Sequence, residues 1–333
     1  MKQFEVALLG AGLMGRFHGN TLVGMAGVHL AVVVDADVGR AAEVAARAPG
    51  TLATDDAGVA FDGAIDAVVI ATPAATHAEL ITRAAESGQA VFCEKPLGLS
   101  LAEAEGAGLA LEARGGAFQL GFQRRYDPGV ARLLRLVTEG RLGAVETFRS
   151  MTADPQGPDL EGMRQAAGIF HDTLSHDADL ALALGGPVEE VFTRGAALTN
   201  ERFAELGKPD TTVISLSFAS GALGVIENRL RTGFGYETVL EVGGSLAKGI
   251  VRDDALDALT LMREGRSERS YVPWFLERFE RAYRAELEVF FDCLRDGRRP
   301  EPGFEQGRAA LRLCLAAERS YREGRPIGTS DLR

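Results

Sequence analysis

The stretch Phe4-Glu5-Val6-Ala7-Leu8-Leu9-Gly10-Ala11-Gly12-Leu13-Met14-Gly15 decides the fold of this chain. Phe4 to Leu9 has the apolar composition of a strand covered on both faces, and Leu13 to Val23 carries apolar residues at helical spacing. Between them lies GxGxxG. Gly10 permits a tight turn, Gly12 lets a pyrophosphate approach the backbone, and Gly15 lets helix and strand pack closely. The helix start supplies unpaired N–H groups and a positive dipole end to the phosphates, with Leu13 and Met14 beside them.

The next strand, Leu30 to Val34, ends at Asp35, 20 positions beyond Gly15. An acid there accepts hydrogen bonds from the adenosine ribose hydroxyls and repels a 2′-phosphate, so the expected cofactor is NAD rather than NADP. Two alternatives stay open: Asp37 serving in place of Asp35, and Arg40 reaching a phosphate.

Further out, Ala67 to Ala71, Ala90 to Cys93 and Ala117 to Gly121 read as strands. Gly39 to Ala48, Thr76 to Ser87 and Ser100 to Arg114 alternate with them as helices, the last opened by a capping-box pattern at Ser100. Strand and helix in turn imply βαβ units, an α/β class and a doubly wound parallel sheet of Rossmann type over residues 1–122. Beyond Asp127-Pro128-Gly129 the pattern changes. Helices are expected over Val130 to Glu139, Asp172 to Leu184, Phe275 to Arg295 and Glu305 to Glu323. Strands are expected over Val145 to Thr152, Val188 to Gly195, Thr211 to Phe218, Leu223 to Leu230, Glu237 to Val242, Lys248 to Val251 and Leu256 to Met262. Residues 123–333 therefore read as an α+β domain with a large, predominantly antiparallel, open-faced sheet.

Composition narrows the function. The 333 residues are 46% hydrophobic and 25% charged, ordinary for a globular chain. A net charge of -11 repels phosphate backbones and anionic membranes, so neither nucleic acid nor a membrane is expected as a partner. Cys93, Cys293 and Cys314 are widely spaced and belong to no Cys/His cluster, which suggests neither disulfides nor a metal and fits a reducing cytoplasm. Glu5 and the glycines interrupt the N-terminal apolar run, which reads as a strand rather than a signal peptide.

Only four of the 36 basic residues are lysine: Lys2, Lys95, Lys208 and Lys248. Lys95 ends a parallel strand, where open α/β sheets bind ligands. A compact ammonium there can hydrogen-bond one substrate hydroxyl and stabilise the oxygen as hydride leaves. An anonymous lysine before a proline turn is by default a surface residue, and the surrounding motif argues otherwise. Asp172 and His176 are spaced i,i+4, with Asp179 nearly on the same helical face. An imidazole beside a carboxylate suits a base working near neutral pH. An ordinary solvated helix face is the alternative for that spacing. His171 is read as a capping or supporting group.

Four motifs occur in order: Ala71-Thr72-Pro73 with His77, Glu94-Lys95-Pro96, Gly121-Phe122-Gln123-Arg124-Arg125-Tyr126-Asp127, and Gly168 to Leu180 with its Asp172-Thr173-Leu174-Ser175-His176-Asp177-Ala178-Asp179 core. This series resembles the Gfo/Idh/MocA oxidoreductases, inositol 2-dehydrogenases in particular, and spans both domains. The resemblance implies cofactor contacts from Thr72, Pro73, His77, Glu94 and Lys95. It implies substrate contacts from Lys95, Arg125, Asp154, Asp172, His176, Asp179 and Tyr236. It assigns Lys95, Asp172 and His176 to catalysis, and His18 and Asn20 to holding helix against sheet. Ala74 and Ala167 depart from the family pattern, as does the loop Gln156-Gly157-Pro158, and these departures bear on substrate identity.

The expected activity is NAD-dependent oxidation of a cyclitol hydroxyl, myo-inositol to its 2-ketone, by a homotetramer or homodimer. Rival readings are a dehydrogenase of another sugar or polyol, a glycoside-cleaving relative using NAD transiently, and an NAD-sensing regulatory protein without turnover.

Overall fold

The computed structural model describes residues 3–165, 167–252 and 255–332. The chain divides into two compact units, Met1–Gln123 with Tyr283–Leu311 and Arg124–Ala282 with Arg312–Arg333. The sequence reading placed everything after residue 122 in the second domain. That division is corrected for residues 283–311, which return to the first unit. The cause is the apolar stripe of a C-terminal helix: Leu287, Phe290 and Phe291 are fully buried in the first core, with Phe291 against Phe4 and Phe290 against Phe92.

In the first unit six parallel strands form, β1 (Phe4–Leu9), β2 (Val28–Val34), β3 (Leu52–Thr54), β4 (Ala67–Ile70), β5 (Ala90–Glu94) and β6 (Phe118–Gly121). Their order, β3-β2-β1-β4-β5-β6, is the doubly wound one. β3 went unread because three residues show no periodicity. Helices α1 (Leu13–Val23), α2 (Val38–Ala45), α3 (His77–Glu86) and α4 (Leu101–Arg114) connect the strands. Ser100 caps α4 by accepting from the Glu103 N–H at 3.3 Å, and Gly115, at φ +62°, ends it in the left-handed conformation that glycine adopts without strain.

The second unit opens with α5 (Pro128–Thr138) and β7 (Val145–Ala153), followed by three short helices and α8: α6 (Leu160–Gln165), α7 (Ile169–Asp172), α8 (Leu174–Gly185) and, after β8 (Val188–Ala196), α9 (Arg202–Glu205). Strands β9 (Thr211–Phe218), β10 (Leu223–Arg229), β11 (Glu237–Gly244) and β12 (Lys248–Arg252) come next. The hairpin β13 (Leu261–Arg263) and β14 (Arg266–Glu268) precedes α10 (Phe275–Asp296), α11 (Phe304–Glu323) and β15 (Ile327–Gly328). The seven-stranded sheet runs β12-β11-β7-β10-β9-β8-β15, antiparallel except for β7 beside β10. Burial alternates along β9, with Thr212, Ile214, Leu216 and Phe218 inward and Val213 and Ser215 outward. The strand expected over Leu256 to Met262 is corrected to the short exposed β13, because Leu256, Leu259 and Met262 have no core face to bury. The single helix expected from Asp172 is interrupted at Thr173, so Asp172 ends α7 and His176 lies in the first turn of α8.

A buried carboxylate ties α8 to this sheet. Asp177 is fully buried and accepts from Ser150 and Thr152 of β7, from Asn228 of β10 at 2.7 Å, and from Arg124 at 3.1 Å. Desolvating that charge is tolerable only because each oxygen is hydrogen-bonded and a guanidinium faces it. No described helix is long and apolar enough to cross a membrane. Asp177→Ala removes the buried carboxylate that Ser150, Thr152, Asn228 and Arg124 share and is expected to cost about 3–5 kcal/mol of stability, measured by chemical denaturation, against about 1 kcal/mol for Ser150→Ala.

Candidate active site

The glycines divide by role. Gly10 has φ +92°, and a Cβ there would lie 2.6 Å from the Ala71 carbonyl oxygen. A Cβ on Gly15 would overlap the Gly10 carbonyl. At Gly12 a Cβ would meet nothing within 4 Å, and this residue caps α1 without a side-chain hydrogen bond. The first two positions therefore pack backbone against backbone, whereas the third faces the open space in which a pyrophosphate meets the helix amides. Leu13 is exposed at the same helix start and Met14 is half-buried. The arrangement fits a dinucleotide.

Asp35 fixes this loop in place. One carboxylate oxygen accepts the Ala11 N–H at 2.7 Å, and the other accepts the Asp37 N–H at 2.8 Å and lies 3.3 Å from Arg40. Asp37 caps α2 through the Gly39 and Arg40 amides, which leaves Asp35 as the acid at the loop. Arg40 is held between both aspartates.

At the C-terminal ends of β4 and β5, Thr72 and Thr76 share a hydroxyl hydrogen bond of 2.7 Å, and Pro73 is exposed. Lys95 is half-buried, and the Lys95–Pro96 bond is cis. Two of the residues expected at the cofactor, His77 and Glu94, are engaged here by protein groups. His77 is buried with Nδ1 2.7 Å from the Pro96 carbonyl oxygen and Nε2 2.9 Å from that of Thr72, so it clamps the two turns together. Burial lowers its pKa, against the pull of those carbonyls. Glu94 is also buried; one oxygen lies 2.7 Å from His18 Nε2, and the other accepts the Lys95 N–H at 3.2 Å. His18 thus joins helix to sheet through Glu94.

In the second unit Asp172 is half-buried and His176 is 8% exposed, one turn apart across the α7–α8 junction. Asp179 and Tyr236, both expected at the substrate, engage arginines of the second unit. Both Asp179 oxygens are taken by the Arg125 fork, at 2.8 and 2.6 Å, and burial raises this carboxyl above its ordinary range despite the guanidinium. Tyr236 is buried against Phe275 and Phe279; its hydroxyl accepts from Arg124 at 3.1 Å, and burial pushes its pKa up to about 12. Asp154 lines a recess of about 580 Å³ with Gln156, Pro158, Trp274 and Phe275. A second recess, of about 1040 Å³ between α5, β12 and α10, contains none of the expected site residues.

Sequence reasoning passed over Arg124, Asp177 and Glu286. Glu286 had a signal: an acid in a helical stripe that otherwise reads Phe279, Ala282, Tyr283, Leu287 and Phe290.

A doubly wound sheet with a glycine turn open at Gly12 and an acid at the end of β2 defines a dinucleotide-dependent oxidoreductase domain. The chain belongs to the Gfo/Idh/MocA family: residues 4–122 match its NAD-binding Rossmann fold and residues 130–249 its C-terminal domain. It is an NAD-dependent dehydrogenase of that family. It is similar to the scyllo-inositol 2-dehydrogenase (NAD(+)) of Bacillus subtilis, 34% identical over 98% of this chain and 96% of that one. The myo-inositol 2-dehydrogenase of Thermotoga maritima is 33% identical over 97% and 98% of the two chains. Among solved structures, the myo-inositol dehydrogenase of Corynebacterium glutamicum superposes with a TM-score of 0.90 at 30% identity, covering 98% of each chain.

The glycine geometry separates binding from folding. Gly12→Val is expected to leave the melting temperature unchanged while weakening NAD binding at least about tenfold, whereas Gly15→Ala lowers the melting temperature, as read by calorimetry with and without NAD.

Proposed function

We propose that this protein oxidises one secondary hydroxyl of a cyclitol, myo-inositol at C2, to the ketone. The observation that carries the reading is Lys95, half-buried at the C-terminal end of a central parallel strand in a chain otherwise poor in lysine. The inositol dehydrogenase relatives, aligned over nearly the whole chain, support the substrate class. Bound NAD supplies the acceptor for the hydride from the carbinol carbon. His176 accepts the hydroxyl proton, and Asp172 stabilises the imidazolium that results. The Lys95 ammonium donates a hydrogen bond to the same oxygen as charge develops on it. Thr72 and Pro73 line the nicotinamide side, Asp35 takes the adenosine ribose, and the recess at Asp154 receives the ring hydroxyls. Arg125, oriented by Asp179, contributes to substrate binding. NADH formation at 340 nm with myo-inositol is expected for NAD over NADP, and Lys95→Ala and His176→Ala should each lose about 10²-fold or more in kcat. Turnover of scyllo-inositol or another polyol instead, lost in the same variants, would move the substrate and keep the chemistry.

The same reading includes self-association. The outward face of the seven-stranded sheet carries Val213, Leu223, Val225 and Phe192 among charged residues, and Val213 and Leu223 are 49% and 63% exposed. A second copy covering this face gives a homodimer or homotetramer. Light scattering should return a multiple of the chain mass, and Leu223→Glu with Val213→Glu should reduce it to one chain.

A further inference from the structure

We propose that Glu286 is a positioning residue that works as a neutral carboxylic acid, holding Glu94 in the place from which it grips the backbone of Lys95. This rests on the proposed role of Lys95 in hydroxyl oxidation.

Glu286 is fully buried in the apolar stripe of α10, and neither carboxylate oxygen has a direct hydrogen-bond partner. An unpaired carboxylate there would cost several kcal/mol. The side-chain atoms of His18, Glu94 and Glu286 lie within 4.8 Å of one another, a gap that one water making two hydrogen bonds would span. Aromatic rings wall the cluster, with Phe92, Phe17 and Tyr283 all packed against His18.

Two carboxylates and an imidazole in this setting need a positive charge or a proton. A cation is the poorer solution, because both Glu94 oxygens are already engaged, and only His18 Nδ1 and the Glu286 oxygens stand without a hydrogen-bond partner. His18 Nε2 lies 2.7 Å from one Glu94 oxygen, and the other accepts the Lys95 amide. Glu286 remains, and a proton neutralises it. Burial raises its carboxyl well above the ordinary range, and the Glu94 charge acts in the same direction. The titratable groups facing it are His18 from α1 and Glu94 from β5, with Tyr283 one turn earlier on its own helix. From β6 comes the neutral amide of Gln119, which donates to the Glu286 backbone carbonyl at 2.9 Å. With Glu286 protonated, the cluster carries one carboxylate charge, set against His18, and Glu94 keeps its hold on the residue at the strand mouth. Ionising Glu286 would place two like charges together and push Glu94 away from that amide.

Glutamine at 286 is neutral and keeps a donor, so it separates an acid from an anion. Glu286→Gln should keep kcat within about threefold of wild type and preserve its pH profile. Glu286→Ala should lower kcat about tenfold or more while leaving the Kd for NAD within about twofold, the pattern of a misplaced catalytic group. Infrared spectra of protein labelled with 13C-glutamate should show a protonated-acid C=O stretch that disappears in Glu286→Gln. This readout needs no substrate, so it decides the protonation state even if cyclitol turnover is absent. Absence of that band, with Glu286→Gln as impaired as Glu286→Ala, overturns the proposal. So does stoichiometric metal in the purified holoprotein that Glu286→Gln removes.

Discussion

The β1–α1 turn, where the backbone of Gly10 lies directly against Gly15 and Ala71, sets the frame of the first unit. No side chain fits at Gly10 or Gly15, so helix α1 is brought down onto the sheet and its amides face outward at the strand ends. Asp35 then locks the loop from the neighbouring strand by accepting the Ala11 N–H. His77 stands between the β4 and β5 turns with a backbone carbonyl beside each ring nitrogen. The binding edge is thus built mainly from backbone, and its polar side chains serve chiefly to hold that backbone in register.

The second unit solves the corresponding problem with charge. Asp177 follows His176 in sequence and bonds Ser150, Thr152, Asn228 and Arg124. The helix that presents His176 is thereby fastened to two strands. Arg124 extends the network to Tyr236, and Arg125 and Asp179 form a parallel pair beside it. Consecutive residues of two motifs, Arg124-Arg125 and Asp177 to Asp179, are interlocked in this way, which explains why they occur together.

Much of this was legible in the sequence. The strand–glycine loop–helix order led directly to a doubly wound parallel sheet, because apolar periodicity and turn chemistry are local properties. β1, α1 and β9 have the residues expected of them. What the sequence did not show were contacts that depend on distant partners. Nothing local pairs Asp179 with Arg125 or packs Tyr236 on Phe279. Leu256 to Met262 looked like a strand by composition but has no core to face. Glu286 was visible only as an acid out of place in an apolar stripe, and its partners come from residues 18 and 94.

The return of residues 283–311 to the first unit sets the order in which the protein can be completed during synthesis. Phe4 and Phe92 leave the ribosome long before Phe290 and Phe291, which pack against them. Until then the nascent first unit lacks the aromatic residues that complete its core. A fragment cut at the end of β6 would lack them too. The dinucleotide-binding unit is therefore continuous in space and discontinuous in the gene, and its core closes only when the later segment has been made.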